Sequence, residues 1–263
     1  MTCNINEVVL TPLSRAEHID NLRRVEGLTN DKIREIITHY KSILGDSSTT
    51  SRATTHFLDD ILTHIDRTGS VEANDCCYSG LALTGVKDPE ERKKLQDDHY
   101  LIKEAVRLAG LKNYDPAEAP FNPQNALIGQ PQEVSDVDIL MVLASRFFTF
   151  TNLAPSSGGG MEERTANMYT KMPLVFVKKG KYTSRMTTGA RRIILLEYSD
   201  LTIQKEQVVD VLCELRKYEP GVGTCSVHGN TLLGFEGEKT FCLPGLIQQK
   251  FPILRYDFSQ YNQ

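Results

Sequence analysis

The stretch that decides the fold is Cys76-Cys77-Tyr78-Ser79-Gly80-Leu81-Ala82-Leu83-Thr84-Gly85. An apolar run of strand length closes on small residues and a Thr-Gly turn, and a long amphipathic stretch over residues 90–109 follows it. Working outward, the same alternation recurs. Strands are expected at 76–83, 111–114, 138–144, 174–178 and 192–198, and helices at 90–109, 161–170 and 205–218. Short apolar runs separated by amphipathic helices are how a parallel sheet with crossover helices reads. The expected fold is therefore α/β: a doubly wound, five-stranded parallel sheet in three layers, whose ligands bind outside the carboxyl ends of the strands.

Upstream, Ile33, Ile36, Ile37, Tyr40, Ile43 and Leu44, then Phe57, Leu58, Ile61, Leu62 and Ile65, recur at helical spacing. Thr29-Asn30-Asp31 supplies an N-cap and Gly45 a stop, and the Ser/Thr-rich residues 46–55 read as a loop between the helices. Thr68-Gly69-Ser70 reads as a junction. Residues 1–70 are thus expected as an N-terminal helical region and 71–263 as the α/β domain. That domain ends in a turn-rich hairpin around Cys225-Ser226-Val227-His228-Gly229 and an aromatic tail over 251–261.

The 263 residues include 30 Lys+Arg and 34 Asp+Glu, giving a formal net charge of −4, and 40% of them are hydrophobic. There is no long basic run, so nothing in the sequence offers an electrostatic footprint for a nucleic-acid polymer or an anionic membrane. Residues 1–10 lack the basic start and apolar core of a signal peptide, and no apolar run approaches the roughly 18 residues that span a bilayer. The expected location is the cytoplasm. Six cysteines without a C-x-x-C pair read as reduced thiols, with no metal site and no disulfide framework. His18, His39, His56, His64 and His99 form no metal-ligand motif and read as packing or surface residues.

Four segments can carry chemistry. Ser156-Ser157-Gly158-Gly159-Gly160-Met161-Glu162-Glu163 places bare amides, hydroxyls and a carboxylate where a helix opens at the carboxyl edge of the sheet. Such a loop can cradle a phosphate; its ordinary alternative is a surface turn followed by a helix-dipole Glu. Tyr78, Ser79 and Gly80 can place a hydroxyl and a close backbone under a sugar or base, or simply form a core strand and its turn. Asp136 and Asp138 precede an apolar run, as acid/base groups or as strand-entry solvation. Asn113 and Asp115 stand at a strand exit facing the same edge. Two further features are an aromatic insertion over 147–155, whose Phe147, Phe148 and Phe150 can stack on a base or pack the core, and a basic cluster, Lys178, Lys179 and Lys181.

The order of these pieces resembles the nucleoside 2-deoxyribosyltransferase-like superfamily. The match runs from a strand ending Tyr78-Ser79-Gly80, through Asp115-Pro116-Ala117-Glu118 and Ser135-Asp136, to Ser157-Gly158-Gly159-Gly160, Glu162 with Ala166 four residues on, and Met172-Pro173-Leu174-Val175. It covers about residues 76–198. The resemblance implies that Glu162 attacks the anomeric carbon of a nucleoside or nucleoside 5′-monophosphate to form a glycosyl-enzyme, that Asp136 or Asp138 handles the base, and that Tyr78, Ser79 and Gly80 contact substrate. It also implies that Ser156, Ser157 and Gly158, Gly159 and Gly160 recognise the 5′ end. Two departures stand out: Gly80-Leu81 where the family has Gly-Pro, and Glu163 beside Glu162. No metal or organic cofactor is implied, the partner is a small-molecule nucleoside or nucleotide, and a homo-oligomer is expected in which a neighbour's aromatic tail completes the site. An NAD-type glycohydrolase and a non-catalytic nucleotide sensor are the competing readings.

Overall fold

The computed structural model describes residues 3–44, 49–81, 86–116, 131–151, 157–181 and 192–257. Five strands, β2 (Ala73–Leu81), β3 (Lys112–Tyr114), β4 (Ser145–Thr151), β5 (Met172–Lys178) and β6 (Ile194–Tyr198), form a parallel sheet in the order β3-β2-β4-β5-β6. The chain reverses its direction of travel across the sheet between β2 and β4, which makes their carboxyl ends the switch point of a doubly wound fold. β1 (Ile5–Leu10), which precedes all of these in the chain, belongs to a second sheet with β7 (Glu219–Cys225), β8 (Gly229–Glu236) and β9 (Lys239–Cys242), antiparallel throughout in the order β1-β7-β8-β9.

Alternate residues along each parallel strand divide between two cores. Tyr78, Phe148, Val175 and Leu195 face one; Cys77, Phe147, Leu174 and Ile194 face the other. The first core is closed by α1 (Pro12–Val25), α2 (Asn30–Leu44), α3 (Thr49–Thr68), α5 (Pro131–Ala144) and α6 (Ser157–Met168). The second is closed by α4 (Pro89–Leu108), α7 (Leu201–Leu215) and α8 (Leu243–Lys250). With both faces covered, β4 is buried at every position, as parallel strands usually are. Local chemistry sets the helix starts: Thr11, Asp88 and Asp200 each accept a hydrogen bond from an amide of the first turn, and Pro12 and Pro89 occupy first-turn positions where no amide is missed.

Several expectations are corrected. Residues 138–144, expected as a strand, are the second half of α5, and Phe147, Phe148 and Phe150, expected in an inserted loop, lie in β4. The run Leu140 to Ala144 is at most 1% exposed, so this end of α5 is apolar all round, and a buried helix segment of that length carries no period that separates it from a strand. Residues 1–70, expected as a helical region, also contribute a strand, β1. β1 pairs with β7, with Ile5 opposite Cys225, while Ile33, Ile37, Leu58 and Ile65 share the core of Tyr78 and Phe148. The loop expected at 46–55 gives way to α3 from Thr49, residues 45–48 lying outside the described residues. The tail from Phe251 to Asp257 packs on its own sheet, with Arg255 bridging Leu196 and Leu254 fully buried; residues 258–261 lie outside the described residues.

One buried ion cluster joins these layers. Glu72, at the foot of β2, accepts from Arg15 of α1 at 2.6 Å and from Lys171 at 2.5 Å, and Lys171 also donates to the Leu143 carbonyl at the end of α5. Burial alone would raise Glu72, but the two cations outweigh it and hold the carboxyl at about 2; burial brings Lys171 down to about 8. A carboxylate held below its ordinary 4.5 contributes stability that is complete above that pH and is lost as pH falls toward 2. Glu72→Gln leaves two cations without their anion and is expected to cost about 3–5 kcal/mol at pH 7. Denaturant unfolding should also show a shallower loss of stability between pH 5 and 3 than in the parent.

Candidate functional site

β2, α5 and α6 bring three side chains together at the switch point. Tyr78 and Gly80 point from β2 to the same face of the sheet, toward α6. Glu162 lies in the second turn of α6, with its Oε2 only 2.9 Å from where a Cβ on Gly80 would stand. Asp138 comes from α5. Asp138 and Glu162 are both half-buried. Removal from water raises Asp138 to about 7, and removal from water together with the Asp138 charge raises Glu162 to about 8; the Tyr78 hydroxyl pulls both back toward their charged forms. Two adjacent carboxylates with such values titrate as a unit and hold about one proton between them near neutral pH.

Tyr78 itself is pushed well above its ordinary 10 by burial and by Glu162 and Asp138, so it stays a hydrogen-bond donor. Its hydroxyl lies near both carboxylates without full hydrogen-bond geometry to either. Tyr78 Oη and Asp138 Oδ1 are left as buried polar atoms with no hydrogen-bond partner among the described residues. Such groups are costly unless something else meets them, which is what a ligand site provides.

Glycine at two positions lets α6 close on the sheet. A Cβ on Gly80 would lie 2.6 Å from Phe150 Cδ2, and a Cβ on Gly159 would lie 2.2 Å from Phe150 Cζ. The Phe150 ring therefore touches bare backbone of both β2 and α6, and it stacks on Phe148 at 6.0 Å, which in turn stacks on Tyr78 at 5.5 Å. This aromatic row is core, not a base-stacking loop. The expected glycine loop is also corrected: Ser157 to Gly160 already form the first turn of α6. Gly160 is exposed, and a Cβ there would meet nothing.

The other expected site residues separate. Of Asp136 and Asp138, roughly 200° apart around one helix, Asp138 is the carboxylate that acts on Glu162. Glu163 is itself buried, one position round from Glu162. Ser79 faces the opposite side of the sheet from Tyr78, fully buried, with its hydroxyl on Asn113 Oδ1 at 2.5 Å and Thr149 Oγ1 at 2.8 Å; it is a packing residue, not a substrate contact. Ser156 lies outside the described residues. Lys178 and Lys181 pair with Asp98 and Glu91 rather than forming an anion site.

Two groupings were not foreseen. At the carboxyl ends of β3 and β4, Asp115 receives Lys103 at 2.7 Å and His99 at 3.2 Å, and His99 reaches Thr151 Oγ1 at 3.2 Å. Burial raises Asp115, but His99 and Lys103 outweigh it and the net shift is down; its charge in turn helps to raise Glu162. The available signal was the spacing of His99 and Lys103, four apart on one helix face. In the antiparallel sheet, Cys3, Cys225, His228 and Cys242 place their ligand-type atoms within 4.8 Å of one another, which corrects the reading of these cysteines as scattered thiols.

The carboxylate pair has a consequence for stability whatever its function. Groups whose values rise on folding take up protons on folding, so stability declines as pH climbs from about 4.5 to about 8. Glu162→Gln and Asp138→Asn remove that burden. Both should melt higher than the parent at pH 8, by about 2–4 °C for each kcal/mol relieved, and the gain should vanish at pH 4.

No protein-family model and no curated protein matches the chain. Among solved structures, the chain is similar to the Clostridium botulinum CMP N-glycosidase BcmB, at 15% identity and a TM-score of 0.35, over 50% of this chain and 96% of that one.

Proposed function

We propose that the crevice breaks the N-glycosidic bond of a nucleoside or nucleoside 5′-monophosphate, with Glu162 as nucleophile and Asp138 as the acid for the departing base. The observation that carries this reading is the coupled pair Glu162 and Asp138 beside the Tyr78 hydroxyl at the carboxyl edge of β2. A pair that keeps one proton near neutral pH supplies both halves of the reaction. The ionised member traps the oxocarbenium-like centre, and the protonated member neutralises the leaving base.

Before substrate binds, Glu162 is the harder of the two to ionise. Positive charge growing at the anomeric carbon favours the anion on Glu162 and leaves the proton on Asp138. The bond from sugar to base nitrogen breaks, the Glu162 oxygen bonds to the anomeric carbon, and the Asp138 proton goes to the base. Water, or a second base, then displaces Glu162 and returns a proton to Asp138. Tyr78 donates to whichever carboxylate is ionised. The first turn of α6, with Gly160 exposed, suits a 5′-phosphate at the positive end of a helix.

Glu162→Ala should abolish release of free base from nucleosides and nucleoside monophosphates in a chromatographic screen, while a bound nucleotide still raises the melting temperature. Undiminished base release in that variant would contradict the assignment. If the parent binds nucleotides but turns none over, the site is a sensor. The parent's kcat/KM should be bell-shaped, greatest between the values of about 7 and about 8 held by the pair. Asp138→Asn should lower it by about 10²–10⁴-fold and abolish the alkaline limb, because no acidic proton is then left at position 138 to lose. Gly80→Ala forces either Phe150 or the Glu162 carboxylate aside and should cost about 10²-fold in kcat.

A further inference from the structure

His228 has sulfur on three sides. Its Nδ1 lies 3.5 Å from Cys3 Sγ, 3.6 Å from Cys225 Sγ and 3.3 Å from Cys242 Sγ. One ring nitrogen offers a single proton or a single lone pair, so hydrogen bonding accounts for one of these contacts and leaves two unexplained. A disulfide would likewise use two of the three sulfurs and strand the third. A tetrahedral ion satisfies all four atoms at once: with metal–sulfur bonds of about 2.3 Å and metal–nitrogen bonds of about 2.0–2.1 Å, the sulfur-to-nitrogen edge comes to about 3.6 Å. We infer that Cys3, Cys225, His228 and Cys242 form a structural zinc site of the Cys3His type.

Backbone amides are directed at two of the three sulfurs. The Val227 amide donates to Cys225 Sγ at 3.4 Å, the His228 amide also donates to Cys225, and the Gly245 amide donates to Cys242. Amides aimed at sulfur favour the deprotonated, metal-binding form. Cys242 is the N-cap residue of α8, so its sulfur sits at the positive end of that helix, beside the Gly245 amide of the first turn. Gly245 leaves the room required: a Cβ there would stand 2.5 Å from Cys3 Sγ and 3.2 Å from His228 Cε1. Four protein ligands close the coordination sphere, as in structural sites and unlike catalytic ones, which keep a position open. All-thiolate and imidazole ligation favours zinc over magnesium, calcium or manganese.

The ion would tie the lead-in to β1 to the end of β7, the β7–β8 turn and the start of α8. Residue 3 is thereby fixed to residues 225–242, and the edge strand β1 is clamped onto the sheet. Because the ligands lie together only in the folded chain, the binding free energy is folding free energy.

Elemental analysis of the full chain, purified without chelator and desalted, should give one zinc per chain. The double variant Cys242→Ser/His228→Ala should lose the zinc and melt at a lower temperature, whereas Cys213→Ser, at an exposed thiol outside the cluster, should keep both. His228→Cys should retain the metal through a fourth thiolate. Should the double variant fail to fold, cobalt exchanged into the parent gives a second reading, through the charge-transfer absorption of a tetrahedral thiolate site. Failure of the parent to hold zinc and to take up added zinc or cobalt would overturn the assignment, as would a disulfide between any two of Cys3, Cys225 and Cys242 in a non-reducing peptide map, iron in place of zinc, or zinc retained by the double variant.

Discussion

Two carboxylates held partly out of water beside one another cannot both ionise near neutral pH, and the neighbourhood of Glu162 is arranged around that constraint. Burial raises both groups, the charge on Asp138 raises Glu162 further, and Tyr78 returns part of that cost by presenting a hydroxyl that never gives up its proton in this range. The arrangement survives because α6 lies against β2 through bare backbone. Phe150 fills the space that side chains at positions 80 and 159 would otherwise occupy. The same contacts that bring the helix close also exclude the water that would relax the two groups.

The remainder of the molecule secures this corner from a distance. Glu72 gathers Arg15 of α1 and Lys171 after α6, and Lys171 meets the last turn of α5, so the helices carrying Asp138 and Glu162 are pinned to the foot of β2. On the opposite face, Asp115 with His99 and Lys103 ties α4 to the ends of β3 and β4. The N-terminal helices contribute to the core behind Tyr78. Their Ile37 and Leu58 are wholly buried in it, which makes them one wall of the α/β unit.

Much of this was legible in the chain. Four of the five parallel strands lie where short apolar runs place them, and Glu162, Tyr78 and the Asp136/Asp138 pair were singled out from motif order. What escaped did so for physical reasons. The run ending in Ala144 is buried all round and carries no period, while β4 hides its strand character behind Ser145, Arg146 and alternating threonines. Ser79 sits beside Tyr78 in sequence and on the other face in space, because strand neighbours always point apart. β1 and Cys3 depend on partners more than 200 residues away, which no local pattern announces, whereas Cys225-Ser226-Val227-His228 followed by Cys242 is a ligand spacing that could have been read.

The role proposed for Glu162 requires that it become covalently attached to the sugar. Its most direct test is intact-protein and peptide mass spectrometry of acid-quenched mixtures of the protein with a nucleoside or nucleoside monophosphate that it turns over. A sugar or sugar-phosphate adduct is expected on the peptide bearing Glu162, formed as base is released and lost on further incubation. Base release without any adduct, or an adduct on another side chain, would contradict it.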